Sequence, residues 1–569
     1  MDYSAPVEEM LFQLEHICNV QQLKSYVKYE QLDLSTIEII LNEVAKLSSQ
    51  KIAPLNKVGD LIHPKRDSDK VFCPPEFCDA YDEISSGGWV GMSGSQDFGG
   101  LDLPLVVTSC VNEMLGSACI SLALNPLMTQ GQIEALESHA SDDIKNCYLP
   151  NLISGRWSGT MNLTEADAGS DVGALTTRAI PQNDGTYEIS GQKIYISWGE
   201  HNLTENICHL VLARLPESDV GTRGVSLFLV PKYLPDANGK IDKRNSLSVT
   251  ALEQKMGLHG SPTAVMEYKK AKGWLIGEPN GGMAAMFTMM NNARLGVAVQ
   301  GLSQAERALQ KAVAHAKDRK QGRPQIKRSV GTIIDHADVR KNILIMKALT
   351  VVSRSICLDT AISIDLAKIS ESTSHIDKAA FLIPIAKAFS TDNGCRVSDI
   401  GIQVHGGLGF IESSGVPQLY RDARITAIYE GTNGIQGMDL VNRKLSDGGA
   451  AGFSLIEEFI DTEKLCGETG IIKDELVEEF RDARLSLVEA LDWMLKTNSI
   501  NERYAGATQF LRAFGLILGA HYLLKAAVKS QIPEKIELAE FYIDHILPES
   551  FASIKSACRG SESIYNAQV

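Results

Sequence analysis

The sequence lacks both glycine-rich phosphate cradles: no G-x-G-x-x-G and no G-x-x-x-x-G-K-[ST] occurs in its 569 residues. That excludes the Rossmann dinucleotide fingerprint and the P-loop. The 12 histidines are scattered, with no H-E-x-x-H, and no G-x-S-x-G elbow is present. Metal hydrolysis, kinase transfer and serine acylation are therefore set aside, and no metal site is expected. The 11 cysteines stand singly, and the nearest pair, Cys73 and Cys78, has neither zinc-finger nor redox spacing. An odd, unpatterned count reads as reduced thiols. The opening MDYSAPVEEMLFQLEHICNV lacks the basic start, apolar region and small-residue cleavage site of a signal peptide. It is also too acidic for a transit peptide, so a cytoplasmic location is expected. Long uncharged apolar runs are missing too: the most apolar window, Phe510 to Val528, is broken by Arg512, His521 and Lys525. An amphipathic core helix is expected there rather than a membrane span.

Positive charge is in deficit, with 55 Lys and Arg against 70 Asp and Glu and a net charge of −15. Such a balance repels phosphate backbones and anionic lipid, so neither nucleic acid nor membrane is an expected partner. What is present is ordinary globular material, 44% apolar, in a length that allows about three to five domains.

Four segments follow from periodicity. Residues 1–155 are mostly helical, interrupted by the glycine-rich SSGGWVGMSGSQDFGG at Ser85 to Gly100, a turn or loop. Residues 156–276 change to short strands, SGTMNLT, TYEISGQKIYIS, HLVLARL, VSLFLVPKYL and AVMEYKKAKGWLI, separated by turn clusters. These predict a small antiparallel β domain. Helical spacing returns over 277–445, with long helices at about 335 to 370 and 376 to 404 before the loop HGGLGF. The stretch SDGGAAG at Ser446 to Gly452 reads as a linker, and 446–569 as a further helical bundle. The fold class is α+β: a helical domain, a central β domain, a second helical domain and an extra helical extension.

Three stretches carry chemistry. Thr164-Glu165-Ala166-Asp167-Ala168-Gly169-Ser170-Asp171 packs hydroxyls and small residues after a strand. Such a loop suits hydrogen bonding to a ring edge and a phosphate, although a plain polar connection would look the same. Gln192-Lys193-Ile194-Tyr195-Ile196-Ser197-Trp198 is an aromatic-flanked strand with one hydroxyl. In Tyr429-Glu430-Gly431-Thr432 a lone carboxylate is flanked by apolar and aromatic groups. There a carboxyl pKa can rise toward working pH, or the residue can simply cap a helix.

In combination, and in this order, these stretches resemble the acyl-CoA dehydrogenase family over roughly residues 80 to 445. The N-terminal region and the extension resemble the subgroup that includes 3-methylmercaptopropionyl-CoA dehydrogenases. The resemblance implies FAD as cofactor and α,β-dehydrogenation of an acyl-CoA thioester to the trans-2-enoyl-CoA. Met161, Leu163, Thr164, Gly169 and Ser170 match the loop that contacts the flavin ring and the CoA pyrophosphate, with Ser170 also on the substrate side. Ile196 and Ser197 match the strand behind the flavin, with Tyr195 where the family usually has Trp. Arg319, after Lys317-Asp318, matches an arginine that reaches the FAD pyrophosphate of a neighbouring subunit, and Gln403 and Gly407 match residues at the same interface. Glu430 matches the catalytic base, Thr432 a cofactor contact, and Gly431 the glycine that lets backbone approach the substrate. Gly434 stands where the family often has Gln. Arg294 matches an arginine lining the active site, and Ala293 before it stands where relatives with the base on that helix carry Glu. The partners implied are an acyl-CoA, an electron-transfer flavoprotein and a second copy in a homodimer. Acyl-CoA oxidase and a DNA-associated member of the superfamily are the alternatives; a basic patch around Lys317 to Arg328 is the only local support for the latter.

Overall fold

The computed structural model describes residues 3–236, 239–326, 329–370 and 372–569, without the side chains of 287–291. Lys327 and Arg328 of the basic patch lie outside the described residues. The chain forms two compact units that alternate along the sequence: one takes residues up to Ala45, Leu105–Ser117 and Val297–Val569, the other Lys46–Pro104 and Ala118–Gly296.

The second unit is built on seven main strands: β1 (Trp157–Asn162), β2 (Arg178–Pro181), β3 (Tyr187–Ser197), β4 (Asn206–Arg214), β5 (Val225–Pro231), β6 (Leu247–Leu252) and β7 (Thr263–Ile276). Their order is β6-β7-β3-β2-β4-β1, and β5 pairs with both β7 and β4, so the sheet closes on itself. β5 is buried at every position and β4 at all but its last, the pattern of strands covered on both faces. Alternate residues of these strands serve two cores. Val211, Ala213, Phe228 and Val230 face Ile189, Met266 and Tyr268. Leu210, Leu212, Leu227 and Leu229 face Trp157, Leu149 and Leu152.

The sheet is mixed rather than antiparallel. β1 runs parallel to β4 from Trp157↔Asn206 to Asn162↔Val211, which the long connection between them permits. β2 and β6 were not expected as strands. β2 has four residues and ends in Pro181, too few to establish a period; β6 does alternate, burying Leu247 and Val249.

The first unit is helical. The long helix α1 (Leu105–His139) is divided between the two units, and its backbone leaves helical geometry at Cys119 (φ −158°, ψ 94°). Then come α2 (Gly282–Asp318, likewise divided), α3 (Ala337–Ser370), α4 (Thr373–His405), α5 (Val416–Arg424) and α6 (Asn433–Asn442). The extension adds α7 (Ala450–Thr469), α8 (Asp474–Lys496), α9 (Ile500–Ser530), α10 (Pro533–His545) and α11 (Glu549–Ala557). The expected linker is shorter than Ser446 to Gly452, because α7 already begins at Ala450.

The extension packs within the same compact unit as residues 297–445. Phe514 meets Phe381 edge-on at 5.1 Å. A Cβ at Gly515 would lie 2.4 Å from the Phe389 ring, so α9 and α4 approach almost backbone to side chain. Arg396 pairs with Glu549 at 2.7 Å, and Arg512 donates to Asn393 Oδ1 at 2.8 Å. α9 is therefore buried on all sides rather than amphipathic: nearly every residue from Phe510 to Val528 is inside. α1 and α9 are long and apolar enough to cross a membrane by composition, but 89% of each apolar window is buried in the fold. Among the described residues no cluster of His, Cys, Asp and Glu could hold a metal.

Candidate active site

In the β-bearing unit the two hydroxyl-bearing motifs are neighbours. The Ile194 N–H donates to the Thr164 carbonyl at 2.9 Å, and Lys193 Nζ donates to the Leu163 carbonyl at 2.9 Å. The loop after β1 is thus pinned to β3 at two successive residues. Met161 and Leu163 turn their apolar bodies onto the core while staying half-exposed. Gly169 and Ser170 are exposed, and a Cβ at Gly169 would meet nothing within 4 Å.

Glu165 organises the loop. Its carboxylate accepts from Thr176 N (2.7 Å), Thr176 Oγ1 (2.7 Å), Thr177 N (3.0 Å), Thr177 Oγ1 (2.6 Å) and Lys193 Nζ (2.9 Å). Burial would raise its pKa, but Lys193 and the threonine donors outweigh burial and hold it at about 2. Burial draws the Lys193 ammonium down, to about 8, with Glu165 opposing. This pair is a structural centre that motif reading passed over. The signal was in β3: Lys193 shares strand parity with the buried Ile189, which puts it on the inward face.

The end of β3 is strained. Tyr195 (φ +61°) and Trp198 (φ +56°) both adopt left-handed backbone, and the β3–β7 register shifts between Lys193↔Met266 and Ile196↔Ala264. A β-bulge of this kind re-aims side chains. It leaves Tyr195 exposed, Ile196 buried and Ser197 half-exposed. The turn is held by Trp198, whose N–H donates to the Pro262 carbonyl (2.7 Å) and whose Nε1 donates to the Ser121 carbonyl (3.2 Å). The hydroxyls of Thr164 and Ser197 make no hydrogen bond among the described residues. Ala293 and Arg294, on the part of α2 in this unit, are both buried.

In the helical unit, Glu430 is half-exposed and sits in the left-handed region at φ +56°, followed by Gly431 at φ +80°. For a glutamate this conformation is uncommon and costs free energy, and such residues concentrate at functional sites. Glu430 does not cap α6. That role belongs to Thr432, whose Oγ1 accepts the Ile435 N–H at 3.3 Å. The flanks of the turn are anchored. Tyr429 OH donates to Gln300 Oε1 on α2. Asn433 accepts from Lys387 Nζ (2.9 Å) and donates to Thr391 Oγ1 (2.9 Å) and Asp392 Oδ1 (2.7 Å) on α4. Gln436 donates to the carbonyls of Glu430 and Gly431. A Cβ at Gly434 would meet only Thr432 Oγ1, at 3.8 Å.

A second group of predicted residues gathers at the C-terminal ends of α2 and α4. Arg319, just past α2, is exposed, and its backbone is fixed by Arg319 N–H to His315 O (2.8 Å) and Ile333 N–H to Arg319 O (2.8 Å). His315 and His405 stack at 4.4 Å, with burial lowering the pKa of each. The adjacent Gln403 and Gly407 are exposed, and a Cβ at Gly406 or Gly407 would meet nothing within 4 Å. Leu408, Phe410 and Ile411 are exposed beside them.

Comparison with known proteins finds the acyl-CoA dehydrogenase N-terminal domain over residues 37–156, the middle domain over 160–271 and the C-terminal domain over 280–445. An acetyl-CoA dehydrogenase C-terminal-like domain matches 453–568. A 3-methylmercaptopropionyl-CoA dehydrogenase of Ruegeria pomeroyi is 40% identical over 588 aligned positions, covering 100% of both chains. Among solved structures, Caenorhabditis elegans ACDH-11 in complex with C11-CoA matches with a TM-score of 0.75 at 21% identity, over 92% of this chain and 89% of that one. An acyl-CoA dehydrogenase complexed with FAD from Bacillus anthracis matches at 0.73 and 20% identity, over 98% and 92%. Full-length identity and consecutive domain matches together establish that this chain belongs to the acyl-CoA dehydrogenase family of enzymes and carries an additional C-terminal domain.

Proposed function

We propose that the protein oxidises an acyl-CoA thioester to the trans-2-enoyl-CoA, with Glu430 as the base. The observation that carries this reading is the conformation of Glu430: a half-exposed carboxylate held at φ +56° by an anchored turn has a positional demand that a solvated surface glutamate lacks. 3-Methylmercaptopropionyl-CoA, the substrate in the name of the Ruegeria relative, is the first candidate, and other short to medium acyl-CoAs follow.

The donor set fits FAD. The uncommitted hydroxyls of Thr164 and Ser197 and the half-exposed Met161 and Leu163 suit a flat ring with polar edges, Ile196 is buried in the core of the same sheet, and Thr432 is given to the cofactor by the family resemblance. Gly169 and Ser170 present open backbone to a phosphate. Arg319, exposed and without a carboxylate partner among the described residues, suits a diphosphate together with Gln403 and Gly407. FAD held by these residues supplies an acceptor for the substrate β-hydrogen and its electron pair. Glu430 takes the α-proton on its carboxylate, and the two C–H bonds broken leave one C=C bond. A positioned base contributes on the order of 10² to 10⁴ in rate. Negative charge grows on the thioester oxygen as the proton leaves, and the backbone N–H of Glu430 is its donor, worth roughly 3 kcal/mol. Gly431, with no side chain at φ +80°, lets that backbone reach the thioester. Arg294 lines the acyl side, and Ser170 contacts the CoA. An electron-transfer flavoprotein takes the electrons onward.

Arg319, Gln403 and Gly407 act across a homodimer interface in this reading. Arg319→Ala is then expected to lower both FAD retention and dimer stability, checked by flavin content and light scattering; a fully flavinated, dimeric variant removes Arg319 from the site. The test of the function itself is anaerobic bleaching of the bound flavin by a panel of acyl-CoA thioesters that includes 3-methylmercaptopropionyl-CoA. At least one thioester is expected to bleach it fully, and re-oxidation by electron-transfer flavoprotein rather than oxygen separates the dehydrogenase from an oxidase. A flavin that no thioester bleaches overturns the proposal.

A further inference from the structure

Glu430 and Gly431 are consecutive residues at positive φ, and both of their carbonyls are received by one side chain. Gln436, a turn into α6 and wholly buried, donates Nε2 to Glu430 O at 3.3 Å and to Gly431 O at 3.1 Å. Two acceptors on that side dictate which end of the amide faces them, because an amide oxygen there would repel both carbonyls. Its own Oε1 is buried without a partner, so both hydrogen bonds of the amide are spent on the turn. A left-handed backbone is unfavourable for a non-glycine residue. It persists only where the surroundings over-determine it, and two hydrogen bonds from one buried side chain offset that cost.

The next residue ties this device to the extension. A Cβ on Gly437 would lie 3.0 Å from Ala507 C and 3.1 Å from Ala507 O, so α6 meets the backbone of α9 directly. Arg503 on α9 donates to the Val441 carbonyl at 3.0 Å, and Asn442 donates to Tyr504 OH at 3.1 Å. α9 thus grips α6 at its middle and its end.

We infer that Gln436 is a positioning residue that holds Glu430 in its left-handed turn, and that α9 of the C-terminal extension, seated on Gly437, keeps Gln436 in register. The inference rests on Glu430 being the base and deepens that reading: the extension becomes part of the support of the base.

The test uses the full-length FAD-loaded enzyme and the anaerobic rate of flavin reduction. Gln436→Met keeps the volume and removes both donors. It is expected to slow reduction roughly ten- to thirtyfold while FAD content and the Kd for acyl-CoA stay at wild-type values. Gln436→Glu supplies a donor only when protonated, so its rate relative to wild type is expected to rise as pH falls, which a packing role would not produce. Gly437→Ala, whose new methyl meets the α9 backbone, is expected to slow the same step without changing the Kd. A wild-type rate in Gln436→Met, a pH-independent ratio in Gln436→Glu, or loss of FAD from both overturns the positioning role. A wild-type rate in Gly437→Ala overturns the part given to α9. Failure of the underlying reading is seen separately: Glu430→Gln would then reduce its flavin at the wild-type rate whatever the Gln436 variants do.

Discussion

Two carboxylates a motif apart meet opposite fates. Glu430 is half-exposed in a left-handed turn, whereas Glu165 is buried and spent on holding the loop after β1. Glu165 gives a pH signature. Its carboxyl goes from an ordinary 4.5 to about 2 on folding, so the stability it contributes is fully present above pH 4.5 and is lost as pH falls toward 2. Thermal melts of wild type and Glu165→Gln are expected to differ by a constant amount near neutrality and to converge on acidification between those values; a gap that persists to the acid end contradicts the assignment. Lys193→Met leaves the Glu165 carboxylate buried without its cation and is expected to destabilise by roughly 3–5 kcal/mol in denaturant, with FAD retention falling as the loop frees. Glu430 stood out in the sequence as a lone carboxylate in the run Tyr-Glu-Gly-Thr. The anchoring by Gln436 did not, because a helical glutamine carries no local mark of which carbonyls it will find. Lys193 lay between: strand parity could have exposed it.

At the level of elements, periodicity located the long helices α3 and α4 within two or three residues of their ends, since long apolar repeats leave little freedom of assignment. The direction of β1 was not legible, because alternation describes faces and says nothing of the neighbour's sense. α9 was visible as apolar, but its glycines reveal their reason only in the packed state. Gly506 approaches Ala557 so closely that a Cβ would lie 1.9 Å from its carbonyl oxygen, and at Gly519 one would lie 2.5 Å from Val352. Gly506→Ala therefore forces α9 and α11 apart. It is expected to cost roughly 1–3 kcal/mol, read as a lower denaturant midpoint at unchanged slope; a midpoint within error of wild type would mean that α11 yields without cost.

For the whole molecule, the four consecutive segments read from the sequence are grouped by packing into two units that share α1 and α2. Contiguity along the chain concealed this, because the helix at 105–139 reads as one element whichever unit each end joins. The extension shares a core with residues 297–445, and ending the chain at Leu445 would uncover Phe381, Phe389 and Val352 where α9 now lies. Such a truncated chain is expected to aggregate, as light scattering would report; a soluble, active truncated dimer would show that the extension is dispensable. The central claim is that Glu430 removes the α-proton in this acyl-CoA dehydrogenase. It is tested most directly by mixing FAD-loaded Glu430→Gln anaerobically with the thioester that bleaches the wild-type flavin fastest. The variant is expected to keep its flavin, bind the thioester and lose at least a hundredfold in the rate of bleaching; bleaching within about tenfold of wild type would assign the base to another residue.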